Sequence, residues 1–344
     1  MAFSGILHRP WLVAVAVAVL ALAVRATVVA DQEFSAVYLH RFERIYGVDL
    51  PDVYERLPFF LTWTRGDGQT FMALAADLDL DGSAQELAVP SYRFARVGYA
   101  WLARLAALGR VGLLPVGLLA VNLVTISILA VVATRLARIW GRRAFLILAN
   151  PGLFVGVATD TAEPLGALLL VLALTSGATG GALASALAAA TRPTFLAVLP
   201  ARRHGLLRPL MTAASVVISL QIISLFAFGS FGERPPETLV LPFTGYVEVW
   251  PTVRPAAAFG IGLLLVSAAL TMAAGFRSTG GRSPALILSG LLVVVFGAAV
   301  LHNPFNYLRA AALLPIIWAV PGQAAQVSVR VSRSATATVA RSPA

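Results

Sequence analysis

Residues 111–133 read VGLLPVGLLAVNLVTISILAVVA, an apolar run without a charged side chain. A helix that crosses a bilayer needs about 20 predominantly apolar residues, and the segments 11–30 and 256–274 also approach or reach this length. Charged residues make up only 12% of the 344, and mean hydropathy is +0.82, whereas soluble domains carry about 25% charged residues. The sequence therefore predicts an all-α protein, a polytopic transmembrane helical bundle.

The apolar runs divide the chain into about 8–10 membrane segments within one domain over residues 1–325. The first run is longer than the apolar region of a signal peptide, so we expect it to remain as an uncleaved span. A large outer loop is expected at 31–110, and the basic tail 326–344 is expected to be disordered and cytoplasmic. Spans are predicted at about 10–30, 111–134, 144–158, 164–177, 209–229, 255–275, 284–302 and 309–325.

A broken apolar element lies at 181–201, where Thr191-Arg192-Pro193 interrupts the run. Proline removes a backbone donor, so a helix kinks or ends there. Short arginine-rich loops stay in the cytoplasm, and the arginine groups share one side only if 181–201 is a re-entrant pair of half-helices. All sixteen acidic residues then fall on the outer side. The alternative is one straight span, which would invert the topology of everything after it.

The outer loop ends in a segment, Ser91–Leu108, in which aromatic and aliphatic residues alternate with arginines. This pattern predicts an amphipathic helix lying in the outer membrane interface. The net charge of +10 could indicate nucleic-acid binding, but the arginines stand at the ends of apolar runs, which is the topology pattern. We therefore expect a lipid bilayer and no nucleic acid as partner. The absence of lysine and the richness in alanine suggest a GC-rich bacterial source, and so a bacterial plasma membrane.

Acidic residues stand at two places where they could carry chemistry. Asp67 lies between Gly66 and Gly68, so the backbone can turn sharply and present the carboxylate; the alternative is a solvated turn aspartate. Asp160 and Glu163 link two short apolar runs. Carboxylates near a bilayer usually face a cavity or a partner, but these two could instead cap the next helix.

Two basic segments are candidates for binding a phosphate. Arg192 sits at the break in 181–201, and its guanidinium suits a bidentate phosphate contact or an ion pair with Asp160 or Glu163. The segment 302–309 joins the last two predicted spans on the outer side, and His302, Tyr307 and Arg309 in it could line a site. The alternative for this segment is an interfacial aromatic anchor with a snorkelling arginine.

The acidic run that begins at Asp77 resembles the start of a calcium loop, but Ala88 occupies the position of its last ligand. A calcium-binding hand is therefore excluded. Asp79 and Asp81 leave open a site for one divalent cation, Mg²⁺ or Mn²⁺, with a solvated acidic loop as the alternative. No other cofactor is expected, and four scattered histidines argue against zinc.

Four motifs in order give the chain a family resemblance. The segment 66–71, Gly-Asp-Gly-Gln-Thr-Phe, is similar to a "DGQ-Y" motif, and Tyr92-Arg93-Phe-Ala-Arg96-Val-Gly-Tyr99 to a "YRYQRILYP" helix. Asn150-Pro151 with Asp160-Thr-Ala-Glu-Pro164 resembles an "NP…D-TEP" link, and Thr191-Arg192-Pro193 a "TR" break. The chain thus resembles the GT-C superfamily of polytopic glycosyltransferases, near the bacterial relatives of GPI mannosyltransferase family V.

The resemblance implies a membrane hexosyltransferase, with mannose the expected sugar, that acts with inversion at the extracytoplasmic face. The donor would be a polyprenyl-phosphate-linked sugar, and the acceptor a glycan, lipid or protein of the cell envelope. Asp67 would be the general base, and Tyr92, Arg93, Arg192 and Arg309 would surround the donor phosphate with Asp160, Glu163, His302 and Tyr307. The alternatives are a polytopic transporter or flippase and a non-catalytic subunit for assembly of a cell-surface glycopolymer.

Overall fold

The computed structural model describes residues 9–30, 67–82, 84–85, 87, 89–202, 205–230, 244–252, 255–278, 282–296, 298–301 and 304–321. Within these ranges the regular elements are helices, and no strand is present. The all-helical class is therefore confirmed. The predictions for His302, for the first part of the outer loop and for the C-terminal tail lie outside the described residues.

Four of the described helices are long and apolar enough to cross a membrane, so the chain is a multi-pass membrane protein by length and composition. These are Pro10–Val28, Val111–Ile147, Leu207–Phe228 and Ala258–Arg277. Three further apolar helices are shorter, at Glu163–Thr175, Ala178–Thr191 and Arg282–Val294.

Prolines stand at the start of several helices, where a missing amide donor costs nothing. The α-helices are α1 Pro10–Ala30, α2 Asp67–Ala76, α3 Pro90–Phe94, α4 Val97–Ala106, α5 Leu114–Trp140, α6 Pro151–Ala158, α7 Glu163–Thr175, α8 Ala178–Thr191, α9 Leu207–Phe228, α10 Thr244–Val249, α11 Pro255–Arg277, α12 Arg282–Val294, α13 Ala298–Leu301, α14 Pro304–Ala310 and α15 Leu313–Ala319. Short 3-10 helices lie at Val111–Leu113, Gly141–Ile147 and Pro193–Ala201.

Some predicted spans are broken in the structure. The span predicted at 144–158 is interrupted at Asn150, whose side chain accepts a hydrogen bond from the Gly152 amide at 3.1 Å and so caps α6. The Asn150 amide nitrogen also donates to the Ala312 carbonyl at 2.6 Å, which ties this break to the turn between α14 and α15. The described part of the predicted span 309–325 consists of that turn and the short helix α15.

The single interfacial helix predicted for 91–108 is wrong in detail, because the chain bends at Ala95 and Arg96 and forms α3 and α4. Helix α4 has two apolar faces. One face buries Val97 and Tyr99, whereas Leu105 on the other face is 71% exposed. The bend turns the Arg96 side chain inward, where it is buried.

Helix α8 and the following 3-10 helix form a hairpin beside α7. At the tip, Arg192 Nη2 lies 3.1 Å from Glu163 Oε1, at the first residue of α7. At the base, Arg202 Nη2 donates to the carbonyls of Ser176 and Gly177 at 2.9 and 3.0 Å, just beyond the end of α7. The chain between 178 and 201 therefore runs the length of α7 and returns to the end at which it started.

The bundle has two chemically different ends. At one end, Arg202 lies beside Ser176, Arg208 beside Thr179, and Arg143 near Arg282; we call this the basic end. At the other end lie Asp67, Asp160 and Glu163, the three acidic residues that the sequence singled out; we call this the acidic end. The long helices α5 and α9 connect the two.

Because the chain contains no cysteine, single cysteines can report on the two ends. Thr179 is exposed at the basic end, and Leu78 is exposed in the loop after α2 at the acidic end. We predict that a membrane-impermeant maleimide added to intact cells labels only one of Thr179→Cys and Leu78→Cys, whereas both react after detergent permeabilisation. Labelling of both variants in intact cells would contradict this arrangement.

Candidate functional site

Arginine and carboxylate side chains from six helix ends meet at the acidic end. Asp67, the first residue of α2, accepts a hydrogen bond from Arg309 Nη2 at 2.6 Å on Oδ2 and a short one from Arg93 on Oδ1. Arg96 Nη1 lies 3.6 Å from Oδ2. Asp67 begins a helix, where a negative charge favours the helix dipole. Its ion pairs with three arginines do not fit the alternative of a solvated turn aspartate, whereas Gly66 lies outside the described residues.

Arg309 connects Asp67 to the second carboxylate of the site. Its Nε lies 3.2 Å from Glu163 Oε1, and Arg192 Nη2 lies 3.1 Å from the same oxygen. We define the arginine cluster as Asp67, Arg93, Arg96, Glu163, Arg192 and Arg309. Five of these six residues were predicted from the sequence as site residues, and the structure brings them together.

Tyr92 forms one wall of the arginine cluster. The guanidinium carbons of Arg96 and Arg93 lie 4.5 and 5.7 Å from the centre of its ring, and Arg96 donates a short hydrogen bond to the Tyr92 hydroxyl. Cations over a tyrosine face are attracted by the ring quadrupole. Tyr92 therefore orients two arginines toward Asp67.

Among the described residues, positive charge exceeds negative charge in the arginine cluster by two, because four guanidinium groups face two carboxylates. The cluster is largely buried, with Glu163 inaccessible and Arg192 only 7% exposed. Among the described residues, Arg192 Nε and Glu163 Oε2 are buried without a hydrogen-bond partner. Since buried polar groups are normally paired, a surplus of buried guanidinium donors is suited to receiving an anion.

Electrostatics keep the Asp67 carboxylate ionised. Burial alone would raise its pKa, but the guanidinium groups of Arg309, Arg93 and Arg96 outweigh burial and hold the pKa well below its usual range. A depressed pKa in the folded state means that ionised Asp67 stabilises the fold at pH values above its ordinary pKa of about 3.9. That contribution is lost as the pH falls toward the folded-state value.

Glycines let the helices of the site approach closely. A side chain at Gly68 would place its Cβ 2.6 Å from the Thr159 carbonyl oxygen, so only glycine allows α2 to pack on the turn after α6. A Cβ at Gly166 would lie 2.8 Å from the Cβ of Arg192, so glycine also lets the tip of the hairpin rest on α7.

Asp160 lies at the acidic end but makes a different ion pair. Its Oδ1 is 2.8 Å from Nη1 of Arg25, and both side chains are inaccessible to solvent. Sequence reasoning missed Arg25 as a partner, although an arginine inside an apolar run is a signal that a buried acidic partner exists. It also left out Arg96, whose inward orientation depends on the bend between α3 and α4.

Tyr307 is not part of the arginine cluster. It is buried on α14 with its hydroxyl close to Gly260 of α11, and it lines an apolar cavity of about 480 Å³ between α11, α14 and α15. The expectation that Tyr307 contacts the same ligand as Arg309 therefore has no geometric support in the described residues.

Asp79 and Asp81 are exposed on the loop after α2. Their neighbour Asp77 organises this loop, because its Oδ2 accepts hydrogen bonds from the amides of Gly82 and Ala84 at 2.8 and 2.9 Å. In the part of the chain that the structure describes, no three His, Asp or Glu side chains are grouped as metal ligands. A cation at Asp79 and Asp81 stays a prediction.

The close contact at Gly166 can be tested against a glycine in open space. We predict that Gly166→Ala destabilises the protein by about 1–3 kcal/mol, because the added methyl group must displace Arg192 or α7. Gly262, in the middle of α11, has no atom near the position of an added Cβ, so Gly262→Ala should leave stability equal or slightly higher. Thermal unfolding in detergent measures both, and equal midpoints for the two variants would show that the Gly166 contact is not constraining.

No protein-family model, curated protein or solved structure matches this chain. The family resemblance in the four sequence motifs is therefore an expectation that these comparisons leave untested. Function has to be inferred from the side chains of the arginine cluster and from their place in the bundle.

Proposed function

We propose that the chain is a membrane glycosyltransferase that moves a hexose, with mannose the expected sugar, from a polyprenyl-phosphate donor to a cell-envelope acceptor. One observation carries the proposal. A carboxylate able to act as a base and four arginines able to hold a phosphate share one site at the end of a bundle of apolar helices. A lipid-borne phosphate and a water-borne acceptor can meet only at such an end.

The surplus charge of the arginine cluster supports phosphate as the anion. Arginine presents donors in a planar fork that matches phosphate oxygens, and Arg192 Nε is a buried donor without a partner among the described residues. In the transfer step the bond between the anomeric carbon and the phosphate oxygen breaks, and negative charge collects on the departing polyprenyl phosphate. Guanidinium groups already in place stabilise that charge without reorganisation.

Asp67 is proposed as the general base that takes the proton of the acceptor hydroxyl as its oxygen attacks the anomeric carbon. While Arg309 and Arg93 donate hydrogen bonds to the Asp67 carboxylate, the depressed pKa of this carboxyl makes it a weak base. A donor phosphate competes with Asp67 for the same guanidinium groups. Donor binding would therefore release the carboxylate and raise its basicity when the acceptor is needed.

The surroundings of the cluster support a lipid donor. Helix α4 follows Arg96 directly and exposes Trp101, Leu102 and Leu105, which are 44, 38 and 71% exposed. Exposed apolar side chains of this size next to a charged site are suited to lying against lipid. A transporter or flippase typically places its ionisable groups near the midplane of the bilayer, whereas this cluster stands at the helix ends.

The two ends of the bundle support an orientation in a bacterial plasma membrane. Arginine-rich short loops remain in the cytoplasm, so the basic end is proposed to be cytoplasmic and the arginine cluster extracytoplasmic. In this orientation the hairpin 178–201 is a re-entrant pair that enters from and returns to the cytoplasmic side. This orientation also predicts which variant is labelled in the experiment on Thr179 and Leu78: Leu78→Cys reacts in intact cells, and Thr179→Cys does not.

The role of Asp67 can be tested by Asp67→Asn in a transfer assay with radiolabelled polyprenyl-phosphate mannose and glucose. We predict a loss of about 10²–10⁴-fold in rate, the usual contribution of a general base. The thermal midpoint should also fall, because four arginines would then share one carboxylate. Asp67→Asn combined with Arg93→Gln removes one charge of each sign and should recover part of the stability without recovering the rate.

Asp79→Asn is the matched control, since it removes an exposed carboxylate from the neighbouring loop. It should leave transfer near the parent rate unless Mg²⁺ or Mn²⁺ binds there, in which case added chelator would also abolish transfer by the parent. Full transfer by Asp67→Asn with the authentic donor would remove Asp67 from the mechanism.

Phosphate recognition can be tested by Arg192→Lys, which keeps the positive charge and loses the fork. We predict that this variant stays folded in detergent and that transfer falls by at least about tenfold. Arg208→Lys is the control, because Arg208 is exposed at the basic end and contacts Thr179 at 3.4 Å. Equal transfer by both variants would show that the geometry of Arg192 does not matter.

A further inference from the structure

A second charged pair lies behind the arginine cluster and is not used by the proposed mechanism. Arg25 stands within the first candidate span, yet its side chain is inaccessible to solvent. Its Nη1 donates to the Asp160 carboxylate at 2.8 Å and to the Val157 carbonyl at 2.9 Å. One guanidinium therefore holds both the last turn of α6 and Asp160, two residues beyond the end of that helix.

Asp160 holds an unusual backbone conformation. Its φ is +52°, in the left-handed region, which aspartate and asparagine tolerate better than other residues with a side chain. This conformation turns the chain sharply between α6 and α7, so that Glu163 begins α7 at the arginine cluster. The ion pair with Arg25 fixes the residue at which the turn is made.

The start of helix α2 also packs against this turn. Gly68 packs so closely against it that an added Cβ would lie 2.6 Å from the Thr159 carbonyl oxygen and 3.2 Å from the Asp160 Cβ. Gly68 follows Asp67 directly, and a helix begins at this point. The place of the Asp67 carboxylate is therefore set by the place of the turn.

We propose that Arg25 and Asp160 are positioning residues: they anchor the turn at 159–160 to the first span and so hold Asp67 at the correct place among the arginines. The pair acts through Gly68 and contacts neither donor nor acceptor. This role differs from simple neutralisation of a buried charge, which would require a partner for Arg25 but no particular relation to α2.

Hydrogen–deuterium exchange followed by mass spectrometry separates the two roles. Arg25→Met combined with Asp160→Asn removes both charges, so no unpaired charge is left buried, and asparagine keeps the left-handed turn available. We expect exchange in the peptide 67–76 to become about tenfold faster, with exchange in 207–228 unchanged. Gly68→Ala leaves the ion pair intact but lifts α2 from the turn, and it should accelerate the same peptide.

Arg142→Met, which removes an exposed arginine of the 3-10 helix Gly141–Ile147 and lies outside both peptides, is the control and should change neither peptide. If the double variant does not fold, Arg25→Lys serves instead. It retains the charge but reaches less far and lacks the fork, so about threefold faster exchange in 67–76 is expected. Unchanged exchange in 67–76, or an equal rise in both peptides, would overturn the positioning role.

Affinity for farnesyl phosphate, measured by calorimetry in detergent, gives a readout that a purely stabilising pair would not change. The double variant should bind about tenfold more weakly than the parent, because the arginines that Asp67 orients are displaced. This binding measurement rests on the proposed function, whereas the exchange measurement does not. If the parent itself does not bind farnesyl phosphate, the proposed function fails, while the exchange comparison still decides whether Arg25 and Asp160 position α2.

Discussion

The constraint on which this structure depends is the compensation of buried charge at one end of an apolar bundle. Arg309 lies between two carboxylates, 2.6 Å from Asp67 and 3.2 Å from Glu163. An isolated charge in such surroundings would be strongly unfavourable, so the helix ends that carry the carboxylates and arginines of the cluster converge at this point. The positions of α2, α7, α14 and the hairpin tip follow from that requirement.

Among the described residues, the charges of the arginine cluster are not fully compensated. Two positive charges exceed the carboxylates, and a donor on Arg192 has no partner among the described residues. A site that only stabilised the fold would balance its charges, because unpaired buried groups cost free energy. This surplus is the basis of our proposal that the arginine cluster receives an anion, which would compete with Asp67 for the same guanidinium groups.

Sequence reasoning identified much of the arginine cluster, because its residues stand at visible irregularities of the apolar pattern. Arg192 precedes Pro193 within an apolar run, and Glu163 precedes Pro164, where an earlier apolar run begins. Sequence reasoning failed where a side chain's contact partner is distant in the chain. Arg25 and Asp160 are 135 residues apart, and Tyr307 and Arg309, two residues apart, point to different surroundings because they stand on different faces of one helix.

The most direct test of the central claim is a crystal structure of the protein with farnesyl phosphate bound. The phosphate should lie within hydrogen-bond distance of Arg192 and Arg309, and the 2.6 Å contact between Arg309 and Asp67 should lengthen beyond hydrogen-bond distance. A phosphate bound elsewhere, or an arginine cluster unchanged with the ligand present, would contradict the account.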